Sequence, residues 1–256
     1  MIYARQHASH YDLFYDEKPY KEEAAYAAGL IKARSPGAKT IVDLGCGTGL
    51  RSLEYARLGF EVLGVDQSEA MLDAARGHLA GVSDLSSATV KFERGDVTTY
   101  RAQPGRDAVV SLFHVFSYLT SMESLTQAIG SAFASLNAGG VFLIDYWHGP
   151  GVVTDPPVIR KKAIENGPLK IEKTTVPELL SEEHLVRLKV SLRVSGQDSG
   201  APEESEELYL MRYWFPDELE AAISKAGFSG VRHYSWMAQS QPEPTSWQAC
   251  TVAIKP

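Results

Sequence analysis

The stretch Val42-Asp43-Leu44-Gly45-Cys46-Gly47-Thr48-Gly49 decides how this sequence folds. A short apolar run, Lys39–Leu44, leads straight into the glycines, so a first buried strand turns sharply into a first helix. Glycine at such a junction permits a tight turn and lets a ligand approach the main chain. Asp66 closes a second run, Glu61–Val65, about 20 residues on, where a carboxylate can accept hydrogen bonds from ribose hydroxyls. A dinucleotide fingerprint spaces its glycines G-x-G-x-x-G; here the third comes one position early, and Leu50 fills the slot for Gly or Ala. That spacing disfavours a nicotinamide dinucleotide.

Outward from this turn, strand-like and helix-like stretches alternate from about residue 18 to 147. Pro19 suits the first turn of a helix whose Tyr20, Ala24, Ala27 and Ile31 share a face, ended by Ser35-Pro36-Gly37. Ser68 is the expected N-cap of a helix with Met71, Leu72, Ala75 and Leu79 facing inward. Thr89–Phe92, Ala108–Leu112 and Val141–Tyr146 read as further buried strands. Thr120 and Glu123 have capping-box spacing before Leu125, Ile129, Phe133 and Leu136, and Asn137-Ala138-Gly139-Gly140 stops that helix. Such alternation implies right-handed crossovers and a parallel sheet.

The pattern changes after Pro150. Val186, Leu188, Val190, Leu192 and Val194 alternate with Arg187, Lys189, Ser191 and Arg193, the period of a half-buried antiparallel strand. A turn at Gln197-Asp198-Ser199-Gly200 would return a strand carrying Glu203, Glu204, Glu206 and Glu207, acid opposite base on a solvent face. Lys170–Val176 adds a third strand. A helix opened by Pro216 and closed by Gly227 follows, and Gly230–Met237 and Gln248–Ile254 are the last strands.

The 256 residues are 44% hydrophobic and 22% charged, ordinary for a globular protein, with a formal net charge of −7 and no dense Lys/Arg run. Such a surface repels phosphate backbones, so nucleic acid is not an expected partner. Met1–His10 is polar, and no apolar run approaches the length of a membrane span. Cys46 and Cys250, far apart, read as free thiols of a cytoplasmic protein, and two cysteines are too few for the cluster of a radical enzyme.

Asp43–Gly49 resembles the first motif of the class I S-adenosylmethionine (SAM)-dependent methyltransferases. Gly64–Leu72 is similar to their second motif, Gly95-Asp96-Val97 to the third, Asp107–Ser111 to the fourth, and Leu136–Gly140 to the loop before the fifth strand. The resemblance covers about residues 39–147. It implies an α/β fold: a Rossmann-like seven-stranded sheet with helices on both faces, and a small antiparallel sheet inserted after the fifth strand. The expected parts are residues 1–150 as cofactor-binding core with an N-terminal helical lid, 151–214 as acceptor-side insertion, and 215–256 completing the core sheet. By the same resemblance Gly45, Gly47 and Gly49, with Asp43 and Cys46 in the same motif, line the methionine moiety of SAM, and Asp66 binds its ribose. Gln67 and Met71 flank the adenine, Asp96 meets its amine and Val97 stacks nearby, while Tyr20 and Ser111 complete the cofactor set.

Within the family, the segments Tyr11–Tyr15 with Tyr20 and Glu23-Ala24, Leu112–Leu119, and Met211–Phe215 resemble the small-molecule enzymes that dimethylate amino sugars on nucleotide carriers. His114 and Val115 replace two serines of that group, and Tyr146–Pro150 replaces a pair of tryptophans. Ser111-Leu112-Phe113-His114 departs from the motif of nucleic-acid amino methyltransferases, and no carboxylate cluster suggests a metal. Methyl transfer asks the protein to position, desolvate and remove a proton. His114 is the first candidate base, Tyr118 and Tyr15 the residues to orient the acceptor, and His148 a second candidate base; each also has a purely structural reading. Trp147 and Trp214 are candidate walls of the acceptor pocket. The expected partner is a small-molecule amine, with a small-molecule O-methyltransferase as the alternative and a non-catalytic SAM-binding protein more distant; no membrane is involved and a homodimer is allowed.

Overall fold

In the computed structural model the apolar runs become the strands of one mixed sheet; residues 5–196 and 202–256 are described. The chain begins α1 (Arg5–Phe14), α2 (Tyr20–Lys32), β1 (Thr40–Leu44), α3 (Leu50–Arg57), β2 (Glu61–Asp66), α4 (Glu69–Ala80), β3 (Val90–Arg94) and β4 (Arg106–Ser111). A 3₁₀ turn (Val115–Tyr118) precedes α5 (Met122–Ser135), β5 (Leu136–Trp147) and α6 (Gly149–Thr154). There follow β6 (Arg160–Asn166), β7 (Leu169–Leu180), β8 (Leu185–Ser195), β9 (Glu203–Arg212), α7 (Pro216–Lys225), β10 (Ser229–Ser235) and β11 (Gln248–Ile254). Among the described residues no helix is long and apolar enough to cross a membrane.

The large sheet has seven strands in the order β10-β11-β5-β4-β1-β2-β3. Strands β1 to β5 pair in parallel, while β11 runs antiparallel to β5 and β10 antiparallel to β11. Strand order reverses between β1 and β4, and a crevice at the carboxyl ends of those two strands is where such sheets bind ligands. The period of two divides the core. Ile41, Val62, Val110 and Leu143 pack on Ala24, Ala27 and Ile31 of α2 and Leu53 of α3. Val42, Val65, Val109 and Phe142 pack on Leu125 and Ile129 of α5 and Leu219 and Ile223 of α7.

Local chemistry accounts for most boundaries. Ser68 caps α4, its hydroxyl accepting the Met71 N–H at 3.4 Å. The capping box of α5 stands one residue later than its predicted place: Ser121 accepts the Ser124 N–H at 3.1 Å, and the Ser124 hydroxyl accepts the Ser121 N–H at 3.3 Å. Ser fills the role expected of Thr120 and Glu123 because a hydroxyl at each end satisfies both orphan N–H groups. Helix α5 ends at Ser135, and the expected loop at Asn137–Gly140 is instead the start of β5, where the register against β4 shifts.

The second sheet has four strands, β6-β7-β8-β9, one more than the sequence suggested. Strand β6 has no clean alternation in Arg160–Asn166, which hid it. On the outer face Lys189 meets Glu206 at 2.7 Å and Arg193 meets Glu204 at 3.7 Å, whereas Arg187 turns to Glu178 of β7. Glu207, opposite Val190 in register, belongs to the inner face instead. The predicted turn at Gln197–Gly200 lies outside the described residues. The inner face covers the crevice mouth, held there by Phe14 of α1 against Ile171 and Leu192 and by Tyr213 and Val152 against Val186.

Trp214 joins the two sheets. It is wholly buried, forms a bridge with His148 and donates from Nε1 to the Phe116 carbonyl at 2.9 Å. Trp214→Phe removes that donor and leaves a small cavity, so unfolding free energy in urea should fall by about 2–3 kcal/mol with the m-value unchanged.

Candidate active site

The turn after β1 is tied down before any ligand is considered. Gly45 and Cys46 both donate to the Val65 carbonyl, at 2.7 and 3.0 Å. Gly45, Gly47 and Gly49 stand at φ +77, +56 and +76, a region costly for other residues. A Cβ on Gly45 would lie 2.5 Å from Val115, whereas one on Gly47 would meet nothing within 4 Å, so the Gly47 main chain faces open space. The Gly47 N–H donates to Asp66 Oδ2 and the Ser68 N–H to Oδ1, each at 2.9 Å. Asp66 therefore sits across the loop, its carboxyl pushed up by burial and eased back by those N–H groups.

The space they frame is a cavity at the reversal point. Tyr20, Gly45, Cys46, Gly47, Asp66, Gln67, Met71, Asp96, Val97 and Tyr118 of the predicted site line it. Both Thr98 hydrogen bonds to Asp96 fall on Oδ1, at 2.8 and 2.6 Å. Burial pushes the Cys46 thiol up, so it lines the cavity as a neutral group. Three predicted residues stand behind the wall. Asp43 is wholly buried and accepts from the Ser52 hydroxyl at 2.6 Å. Gly49 caps α3 where a Cβ would strike Phe92 and Ala75. Ser111 donates to the Leu44 carbonyl at 2.7 Å. All three shape the loop without facing the cavity.

Sequence reasoning missed Arg51. It lies in the first turn of α3, where side chains lean back toward the helix start, and it lines the cavity. Its Nη2 donates to Glu23 at 2.9 Å, and Lys18 pairs with the same carboxylate. Arg51 Nε is enclosed and has no partner among the described residues. An orphaned guanidinium N–H beside an open glycine main chain, with Asp66 and Asp96 further along, fits a ligand bearing a carboxylate, a ribose and an amino-purine.

A second cavity of about 440 Å³ adjoins the first, within the size of ordinary ligand pockets. His114, Tyr15, Trp147, Trp247 and Gln248 line it with Arg160, Lys173, Thr175, Leu188, Val190, Tyr209 and Met211 from the small-sheet segment. Phe113 and Tyr118 belong to both walls. Tyr15 stacks edge-on to Phe113 at 5.0 Å, and Lys18 Nζ lies 4.4 Å over the Phe113 ring. Phe113 and His114 are successive non-glycine residues in the left-handed region, φ +72 and +63. The Asp145 carboxylate, wholly buried on β5, accepts the His114 N–H at 2.8 Å and stands 3.5 Å from its Nδ1. Burial lowers the pKa of His114, and the nearby Asp145 charge offsets part of that. The imidazole is therefore neutral at pH 7.

His148 lines neither cavity: it is buried, with Nδ1 2.7 Å from the Ser246 carbonyl. Trp147 lines the second cavity, while Trp214 is core. Among the described residues, no group of three His, Cys, Asp or Glu is placed to hold a metal ion.

Residues 41–140 match the model of a family described as a methyltransferase domain. The chain is 29% identical over 228 residues to a dTDP-3-amino-3,4,6-trideoxy-α-D-glucopyranose N,N-dimethyltransferase of Streptomyces venezuelae, covering 88% of this chain and 91% of that one. It is 27% identical to the dTDP-3-amino-3,6-dideoxy-α-D-glucopyranose N,N-dimethyltransferase of Streptomyces fradiae, over 89% and 85% of the two chains. The crystal structure of Streptomyces venezuelae DesVI superposes with a TM-score of 0.79 at 26% identity, covering 98% of each chain. Residues 41–140 are a methyltransferase domain, and the chain is a SAM-dependent methyltransferase. SAM-bound CalS10 of Micromonospora echinaspora shares the methyltransferase fold, with a TM-score of 0.74 at 23% identity over 96% of each chain.

In this methyltransferase the carboxylate of Asp66 does two things, holding the Gly47 N–H and lining the first cavity. Asp66→Ala should weaken SAM binding about 10- to 100-fold by calorimetry, the range expected for losing a hydrogen bond to a charged group.

Proposed function

We propose that this enzyme methylates the amine of a sugar carried on a nucleotide diphosphate. The observation that supports this reading most directly is the charge of the second cavity. In a chain of net charge −7 its lining includes Arg160 and Lys173 and no Asp or Glu. Two cations in one cavity with Trp147, Trp247 and Tyr209 suit an acceptor with an aromatic part and an anionic linker. The relatives named above act on dTDP-linked amino sugars.

When bound, SAM supplies the methyl group on a sulfonium that needs no protonation to leave. Gly45 and Gly47 give main-chain surface to its methionine part, with Cys46 and Tyr20 closing that end, and Arg51 Nε meets the carboxylate. Asp66 accepts from the ribose hydroxyls, Asp96 Oδ2 accepts from the purine amine, and Gln67, Met71 and Val97 flank the ring. Phe113 and Tyr118 separate cofactor from acceptor, so they set the line along which the two approach. Tyr15 orients the acceptor, and His114 removes the proton that keeps an amine from attacking. Buried free thiols at Cys46 and Cys250 suit a reducing cytoplasm.

With dTDP-3-amino-3,6-dideoxy-α-D-glucopyranose as probe, mass spectrometry should record one and then two added methyl groups, and His114→Ala should slow the first about 100-fold. Methylation of the matching 3-hydroxy sugar but not the amine would overturn the amine assignment. Burial lowers the Lys173 pKa to about 8. Its charge is present below that pH and lost above it, so dTDP affinity should weaken as pH rises through about 8, and Lys173→Met should flatten that dependence.

A further inference from the structure

We propose that Asp145 is a positioning residue for His114, with Gln248 fixing the Asp145 carboxylate; this rests on His114 being the base. Asp145 is a wholly buried carboxylate in β5, between Ile144 and Tyr146 of the sheet core. Burying a carboxylate is costly unless its oxygens are satisfied. Here they are, by two residues of the acceptor cavity: Oδ1 accepts the His114 N–H at 2.8 Å, and Oδ2 accepts Gln248 Nε2 at 2.7 Å. The same Oδ2 lies 3.5 Å from His114 Nδ1.

One carboxylate thus holds the main chain of one residue and faces its ring, and that residue stands at φ +63 immediately after another left-handed residue. Strain of this kind persists where surrounding contacts impose it. His114 Nδ1 is enclosed and makes no hydrogen bond among the described residues, so Asp145 is its counterpart. The Nδ1 proton then points to Asp145 and the Nε2 lone pair is left for the cavity, the tautomer a base requires. At 3.5 Å the contact is long, and such contacts tighten when substrate binds. In the step, the acceptor ammonium gives one proton to Nε2, which frees its electron pair for the methyl group. Asp145 stabilises the imidazolium charge until the proton passes to solvent. The other charges facing His114 are Lys18 and Arg51, which oppose its protonation, and Glu23, which favours it.

Histidine-labelled protein without acceptor provides the test, the His114 signal being identified by its loss in H114Q. In D145N the NMR titration midpoint of His114 should move to lower pH than in wild type. In Q248M, where the carboxylate loses a donor and becomes more basic, the midpoint should move up. With the amino-sugar probe, D145N should lower kcat about 10- to 100-fold with KM within about threefold, and H114A/D145N should be no slower than H114A. Midpoints unchanged in both variants, or a D145N effect of equal size in the H114A background, would overturn the proposal. The NMR arm needs no turnover, so it fails separately from the assignment of His114 as base; if D145N does not fold, Q248M carries the test alone.

Discussion

The carbonyl of Val65 receives the N–H groups of both Gly45 and Cys46, and much else follows from that double bond. It ties the end of β1 to the end of β2 as the chain leaves the sheet, so the glycine turn cannot fold back over the strand ends. The turn therefore stands open at the place where strand order reverses. The Gly47 N–H is carried across to Asp66, and α3 starts directly beneath with Arg51 aimed back at the gap. On the other side of the reversal β4 ends in Ser111, whose hydroxyl is tied to the Leu44 carbonyl. The two strands that flank the crevice are thus joined at their carboxyl ends.

Beneath the first cavity lies a compact set of buried charges. Glu23 is shared by Lys18 and Arg51, and Asp43 is held by Ser52. Groups of this kind contribute little net stability, and removing one member strands its partner. Their value here is geometric, because Glu23 lies on α2 and Arg51 on α3, so the pair fixes the helical segment before β1 against the first helix after it. Asp12 adds a second tie, accepting from the Thr48 hydroxyl at 2.6 Å and facing His78 Nε2 at 3.3 Å, which joins α1 to the glycine turn and α4.

The sequence was most legible where chemistry is local. The early third glycine, Asp66 at the end of its strand and the alternation of Val186 to Val194 each have one physical meaning, and each placed its element in the right layer. Legibility failed where a role depends on contacts between distant segments. Asp145 sits in an apolar strand and looks like an interruption until His114 and Gln248, 31 and 103 residues away, close on it. Arg51 is an unremarkable helix residue until Glu23 orients it. Asp43 erred the other way: it shares the motif with the cavity residues, yet its strand position turns it into the core. Strand β6 and the short helix α6 escaped because neither has the periodicity of its class.

Helix α1 packs on both sides of the active centre. Tyr11 lies against Met71 on the wall of the first cavity, while Phe14, one turn on, is buried against Ile171 and Leu192 of the small sheet. A single ten-residue helix therefore has a stake in the occupancy of either cavity. Any ligand whose arrival shifts this helix changes the affinity of the opposite cavity, and thermodynamic reciprocity requires the second ligand to act on the first by the same factor.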